Sequence, residues 1–238
     1  MSRYGILLFD ADNTLFDFDR AEYLSFRHTA ETEGLPFSET LYRRYSEIND
    51  SLWKRIERNE ITLEFLKKER FRLLLLSLGE SDDSETDRRA ELLRDCYIGA
   101  LGEQTCLIDG AEEVCRALAE RYRLYLVTNG IAQIQRRRFE RSVLRPYFRD
   151  IFISEELGAA KPSKAYFDEV FRRIGQPEKQ RVLMIGDSLT SDCDGAIACG
   201  LDICRYNPDG KPDNGRILTY TVKKLSELSD LLAEEGLL

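Results

Sequence analysis

Tyr4-Gly5-Ile6-Leu7-Leu8-Phe9, followed at once by Asp10-Ala11-Asp12-Asn13-Thr14, is the stretch on which the fold of this 238-residue chain turns. The run is almost wholly apolar, too short for a helix, and stops at acid. Such a run suits a strand buried on both faces of a parallel sheet. Further runs behave alike: Leu124 to Val127 stops at Thr128-Asn129, and Val182 to Ile185 stops at Gly186-Asp187. Ile151 to Ile153 leads into Ser154-Glu155-Glu156, and Ile203 to Tyr206 follows a helix-like segment at 190–199. Amphipathic segments at 111–122, 131–143 and 164–174 lie between them. This alternation predicts an α/β fold: a parallel sheet with helices on both faces, in three layers.

Residues 17–102 break the pattern. They contain no convincing strand, and helices fit at 19–33, 39–57, 62–77 and 84–100. Gly34-Leu35-Pro36, Asn59-Glu60 and Gly79-Glu80-Ser81-Asp82-Asp83 punctuate them. The expected organisation is a core formed by 1–16 and 103–238, with an α-helical module at 17–102 inserted directly after the first strand.

Composition narrows the function classes. Hydrophobic residues make up 42% and charged residues 33%, ordinary for a globular protein. No run of 18 apolar residues exists, so no membrane span or membrane partner is expected. The start of the chain has no signal-peptide pattern, which predicts a cytoplasmic location. The net charge of −8 and pI near 5.0 argue against a general nucleic-acid partner. Arg136, Arg137, Arg138, Arg141 and Arg145 are a local exception; on helical spacing they spread round several faces and read as solvated surface. The six cysteines form no CxxC pair and read as small buried hydrophobes, not as a disulfide framework or zinc site.

In an open α/β sheet, ligands bind outside the carboxyl ends of the strands. Here those ends deliver the carboxylates of Asp10, Asp12, Asp187 and Asp192, the Thr128 hydroxyl, the Asn129 amide and the Lys161 ammonium. Singly, each is an ordinary turn, cap or surface residue. Together they suit phosphoryl transfer, which depends on positioning and on neutralising the oxygens around phosphorus. Asp10 and Asp187 offer Mg²⁺ two of the oxygen ligands it favours. Asp10 is placed to attack phosphorus, and Asp12 to protonate the leaving alkoxide and then activate water. Four carboxylates against Mg²⁺ and Lys161 leave one negative charge, which protonating Asp12 removes. The lone histidine, His28, falls in the helical module, which argues against histidine-based phosphatases and serine-triad hydrolases.

Phe9-Asp10-Ala11-Asp12-Asn13-Thr14-Leu15, Thr128-Asn129, Lys161-Pro162 and Gly186-Asp187-Ser188-Leu189-Thr190-Ser191-Asp192 resemble, in order, the four motifs of the haloacid-dehalogenase-like superfamily. That resemblance implies a Rossmann-like core with a helical cap of the C1 type, and an aspartyl-phosphate intermediate on Asp10. It also implies Asp12 as acid/base, and Mg²⁺ held by Asp10, the Asp12 carbonyl and Asp187. Asp192 would support the metal's waters or orient Lys161; Thr128, Asn129 and Lys161 would bind phosphate. The acid at position 12 points away from the dehalogenase branch.

Ile153-Ser154-Glu155-Glu156-Leu157-Gly158-Ala159-Ala160-Lys161-Pro162 and Asn49-Asp50-Ser51-Leu52-Trp53 also resemble YjjG-type pyrimidine 5′-nucleotidases. This implies a nucleoside monophosphate substrate, with Asn49 and Trp53 as cap residues that contact it; packing inside the module is the other reading of Trp53. A sugar-phosphate or phosphoglycolate phosphatase, a phosphomutase and a non-catalytic binding module stay open as alternatives. No apolar stripe singles out an oligomer interface.

Overall fold

The structure is a computed structural model that describes residues 3–58 and 60–234. Asn59, expected as half of a helix-breaking pair, lies outside the described residues. The chain divides into two compact units, one formed by 1–18 with 105–238 and the other by 19–104. Each boundary falls two residues beyond the expected one. The expected 102/103 boundary lies inside a helix, because the last helix of the second unit continues through Glu103.

The first unit is built on a six-stranded parallel sheet. Its strands are β1 (Ile6–Phe9), β2 (Arg123–Thr128), β3 (Phe148–Ile153), β4 (Val182–Gly186), β5 (Asp202–Tyr206) and β6 (Tyr220–Val222), in spatial order β3-β2-β1-β4-β5-β6. β1 lies at the centre, with Phe9 level with Leu126 of β2 and Ile185 of β4. That register brings the three carboxyl ends to one edge of the sheet. Side chains alternate across the two faces. Leu7 and Phe9 enter one apolar cluster with Val114 and Leu118 of α5 (Ala111–Ala119) and Phe139 of α6 (Ala132–Arg141). Ile6 and Leu8 enter the other, with Phe167 and Val170 of α8 (Lys164–Arg173) and Ala196 of α9 (Asp194–Cys199). Every side chain of β1 is buried, which is why the run reads as continuously apolar.

Short elements escape the sequence pattern. α7 (Ser154–Leu157) is one turn, β6 has three residues, and α10 (Glu227–Glu234) buries Leu228 and Leu232 on the first apolar cluster, with Leu231 partly buried against it. The segment expected as one helix at 190–199 is a π-helical turn, Leu189–Cys193, followed by α9.

The second unit is α1 (Phe18–Thr32), α2 (Glu39–Glu57), α3 (Leu63–Ser77) and α4 (Ser84–Glu103). Ser38, Thr62 and Asp83 cap α2, α3 and α4 by accepting from first-turn N–H groups. Its interior is a stack of rings, Phe26 on Tyr45 at 4.4 Å and Tyr45 on Phe71 at 5.4 Å between centroids. A polar strand runs beside them: Arg70 Nη1 donates to Asn49 Oδ1 (3.1 Å), and Asn49 Nδ2 donates to Glu22 Oε1 (2.7 Å). Tyr42 donates to the other Glu22 oxygen. No helix among the described residues is long and apolar enough to cross a membrane.

Candidate active site

The loop after β1 is drawn tight by its own backbone. Leu15 and Phe16 N–H groups both donate to the Ala11 carbonyl, and Asn13 N–H donates to the Phe16 carbonyl. The turn needs a left-handed residue at its tip, and Asn13, at φ 59°, takes that conformation more readily than most side chains. Its Oδ1 accepts from Phe18 N–H. Asp10 itself is still held to β4, donating its N–H to the Ile185 carbonyl at 2.8 Å. The nucleophile candidate is therefore an extension of the sheet.

Lys161 joins the strand ends. Its Nζ donates to Asp10 Oδ1 (2.5 Å), Asp192 Oδ1 (2.7 Å) and the Val127 carbonyl (2.9 Å), and the residue is 1% exposed. All three ammonium donors are used. Asn129 fixes the lysine's main chain from both sides: Oδ1 accepts from Lys161 N–H, and Nδ2 donates to the Lys161 carbonyl. Asp192 is fully buried and packs on Gly186, where an added Cβ would collide with its carboxylate. Its other oxygen accepts from Ser188 N–H. Asp187 is half-buried and accepts from the Thr14 hydroxyl at 3.2 Å.

Asp10, Asp187 and Asp192 each offer an oxygen within 4.8 Å of the other two. Burial, together with the charges of Asp192 and Asp187, pushes the Asp10 carboxyl well above the usual range against the pull of Lys161. Burial and Asp192 push Asp187 up to about 7. Burial alone would lower Lys161, but Asp10 and Asp192 hold its ammonium above the ordinary lysine range. Three carboxylates around one ammonium leave two negative charges. A small, hard divalent cation fits that donor set in both charge and ligand type.

Asp12 sits in a separate arrangement. Its Oδ1 accepts from Arg138 Nη1 (2.5 Å) and its Oδ2 from Gln135 Nε2 (2.6 Å). This corrects the reading of the arginine cluster as solvated surface: Arg138 is 1% exposed. Arg136 does lie at the surface, paired with Glu156. The sequence held a signal for the buried pair. Ile131, Ile134, Gln135 and Arg138 follow the spacing of one helix face, and all four are buried. Two polar residues in a core stripe call for buried partners. The charge count changes as well, since Arg138 adds a buried cation beside Asp12.

Thr128, at the end of β2, is 1% exposed, and its hydroxyl has no hydrogen-bond partner among the described residues. Arg205, a further residue the sequence reading passed over, is buried in β5 and reaches the Asp187 carbonyl and that of Lys211. A basic residue within the apolar run Ile203 to Tyr206 is its signal. Asn49 and Trp53 belong to the second unit. The Asn49 amide is committed on both sides to Glu22 and Arg70, and Trp53 is half-buried on α2.

Acids and a buried lysine gathered at the carboxyl edge of a parallel sheet define the class, a Rossmann-like α/β protein with an acidic site suited to a divalent cation. The family model for haloacid dehalogenase-like hydrolases matches residues 4–200, and the chain belongs to that family. It is 41% identical to the HAD-hydrolase YfnB of Bacillus subtilis strain 168, covering 99% of this chain and 98% of that protein. A magnesium-bound crystal structure of YfnB superposes with a TM-score of 0.88 over 97% of this chain and 99% of that one. The chain is also 36% identical to the pyrimidine 5′-nucleotidase PynA of Streptococcus pneumoniae R6, over 96% of this chain and 95% of that protein. With the pyrimidine 5′-nucleotidase YjjG of Escherichia coli K12 it shares 33%, over 98% and 99%.

Proposed function

We propose that the chain is a Mg²⁺-dependent 5′-nucleotidase that hydrolyses pyrimidine nucleoside monophosphates through Asp10. The observation that carries the chemistry is the buried cluster of Asp10, Asp187 and Asp192 around Lys161, beside the unpartnered Thr128 hydroxyl. The substrate is supported by the likeness to PynA and YjjG over almost the whole chain.

Asp10, the Asp12 carbonyl and Asp187 would hold the cation, with Asp192 behind them. When bound, Mg²⁺ supplies the positive charge that lets a phosphate dianion approach carboxylates. The Asp10 carboxylate attacks phosphorus; the P–O ester bond breaks, its electron pair stays on the leaving oxygen, and that oxygen takes a proton from Asp12. Asp12 then removes a proton from water, which attacks the aspartyl-phosphate, and inorganic phosphate leaves with Asp10 regenerated. Thr128 donates to a phosphate oxygen, which gives its hydroxyl the partner it lacks. Lys161 keeps Asp10 oriented, and we assign Asn129 to holding Lys161 in place.

Phosphate release from nucleoside monophosphates and sugar phosphates, with and without Mg²⁺, tests this in the native protein and in Asp10→Asn. The expected result is magnesium-dependent release concentrated on UMP, dUMP or dTMP and absent in Asp10→Asn. Release concentrated on sugar phosphates would overturn the substrate. Release surviving in Asp10→Asn would overturn the nucleophile.

A further inference from the structure

We propose that Arg138 and Gln135 are positioning residues that clamp the Asp12 carboxylate at the angle from which it delivers a proton to the leaving oxygen. The proposal rests on the reading of Asp12 as acid/base and adds to it the device that aims it. An aspartate side chain has two free torsions, and general acid catalysis demands placement within hydrogen-bonding reach of one oxygen. Here each carboxylate oxygen is tied to its own donor: Arg138 Nη1 at 2.5 Å from Oδ1 and Gln135 Nε2 at 2.6 Å from Oδ2. Two separate ties fix both the position and the rotation of the plane.

The donors are themselves immobile. Both come from α6, three residues apart on one face, at 4% and 1% exposure. The Arg138 guanidinium lies 4.8 Å from the centre of the Phe16 ring and 5.9 Å from that of Phe18, an arrangement in which cation and ring attract. Phe16 closes the loop that carries Asp12, so the arginine grips both ends of the same turn. Gln135 is seated against Gly130, where an added Cβ would stand 2.8 Å from its Nε2 and 2.9 Å from its Cγ. A glycine at 130 thus leaves room for the glutamine to reach Asp12.

The test separates aiming from structure by the need for a proton. p-Nitrophenolate leaves without protonation, whereas the 5′-alkoxide of a nucleoside requires it. Because kcat/KM reports steps up to the first irreversible one, the ratio of kcat/KM for UMP to that for p-nitrophenyl phosphate isolates leaving-group departure. General acid assistance is worth about 10²–10⁴-fold. Arg138→Met is therefore expected to lower the ratio by at least about tenfold, with inhibition by inorganic phosphate unchanged, and Arg138→Lys to recover part of the loss. Gly130→Ala, which displaces Gln135 without touching Asp12, is expected to lower the ratio in the same direction as Gln135→Leu. These two variants keep the test intact if Arg138→Met fails to fold. A native ratio in Arg138→Met, or in both Gly130→Ala and Gln135→Leu should the arginine variant not fold, would overturn the clamp, as would equal loss on both substrates. Asp12→Asn is the reference. If it lowers the ratio and the clamp variants do not, the clamp alone falls; if it leaves the ratio unchanged, the acid/base reading and the clamp fall together.

Discussion

Replacing Lys161 by methionine keeps most of the side chain's apolar stem and removes the ammonium that Asp10 and Asp192 accept from. Asp192 and Lys161 are 0% and 1% exposed, so no water takes over the lost charge directly. Removing one partner from a buried ion pair costs about 3–5 kcal/mol, because the other charge is left desolvated and unpaired. At about 2–4 °C per kcal/mol for a chain of this size, metal-free Lys161→Met should melt roughly 6–20 °C below the native protein. The sign of the pH dependence follows from Asp10 and Asp187, whose carboxyls already stand above their ordinary values. A raised folded value makes stability greatest at low pH and removes it as pH rises through that value. The deficit should therefore be small near pH 5 and largest above pH 7.

Magnesium binding reads the same charge balance. The native site carries two excess negative charges and the variant three. A cation at a hundredfold excess over its Kd stabilises by about 2.7 kcal/mol in either protein, and its Kd should be lower in the variant. Thermal melts at pH 5 and pH 8, each with a magnesium titration, read all of this, and hydrogen exchange of β1 and β4 amides localises it. The account of the cluster is refuted if Lys161→Met is as stable as the native protein at pH 8 without metal. It is refuted equally if magnesium stabilises the variant less than the native protein.

Thr128→Val removes a buried hydroxyl that has no partner among the described residues, so stability should hold or rise by up to about 1 kcal/mol while kcat/KM falls about tenfold to a hundredfold, the worth of a hydrogen bond to a charged group; urea unfolding and steady-state kinetics check both halves. Gly186→Ala forces a Cβ into the Asp192 carboxylate, which should cost about 1–3 kcal/mol by overpacking and weaken magnesium binding measured by calorimetry. Burial lifts Glu22 to about 7 from 4.5 against the pull of Arg70, so Glu22→Gln should match the native protein near pH 4 and exceed it in stability as pH rises towards 7, by up to about 3 kcal/mol. The single tryptophan, Trp53, lies in the second unit, and its fluorescence during unfolding measures that difference; an unchanged or inverted gap at pH 8 would contradict the burial cost.

The sheet was legible wherever burial on both faces left a chemical trace. β1, β2 and β4 are largely apolar runs, and each ends at or one residue before a residue of the site, so strand and site announce each other. β6 and α7 were not legible, because three or four residues are too few for a pattern to repeat and their place is set by the neighbours they pack against. The same limit hid the break between the π-helical turn and α9. Asp10, Asp187, Asp192 and Lys161 could be grouped from sequence because each closes or follows a strand. Gln135 and Arg138 could not be grouped that way, since they enter from a helix that follows β2. Reading the polarity of the 131–138 face as a demand for partners, instead of counting arginines round the helix, would have found them.

Asp10 and Asp12 are two residues apart, and the fold gives them opposite electrostatic surroundings. Asp10 faces two further acids and shares its single cation, Lys161, with one of them. Asp12 has a cation of its own in Arg138. The shortage of positive charge is therefore confined to the Asp10 side of the loop, where the proposed cation and phosphate would meet. Were Asp12 left unpaired, a bound cation would draw it in as another carboxylate ligand and take it away from the leaving group. Pairing it with Arg138 removes that competition, so the proposed metal binding and proton transfer would fall on neighbouring residues of one turn. The tight backbone turn between Ala11 and Phe16 then does the remaining work. It points Asp10 along the sheet and Asp12 towards α6, and so keeps the two carboxylates from sharing a single site.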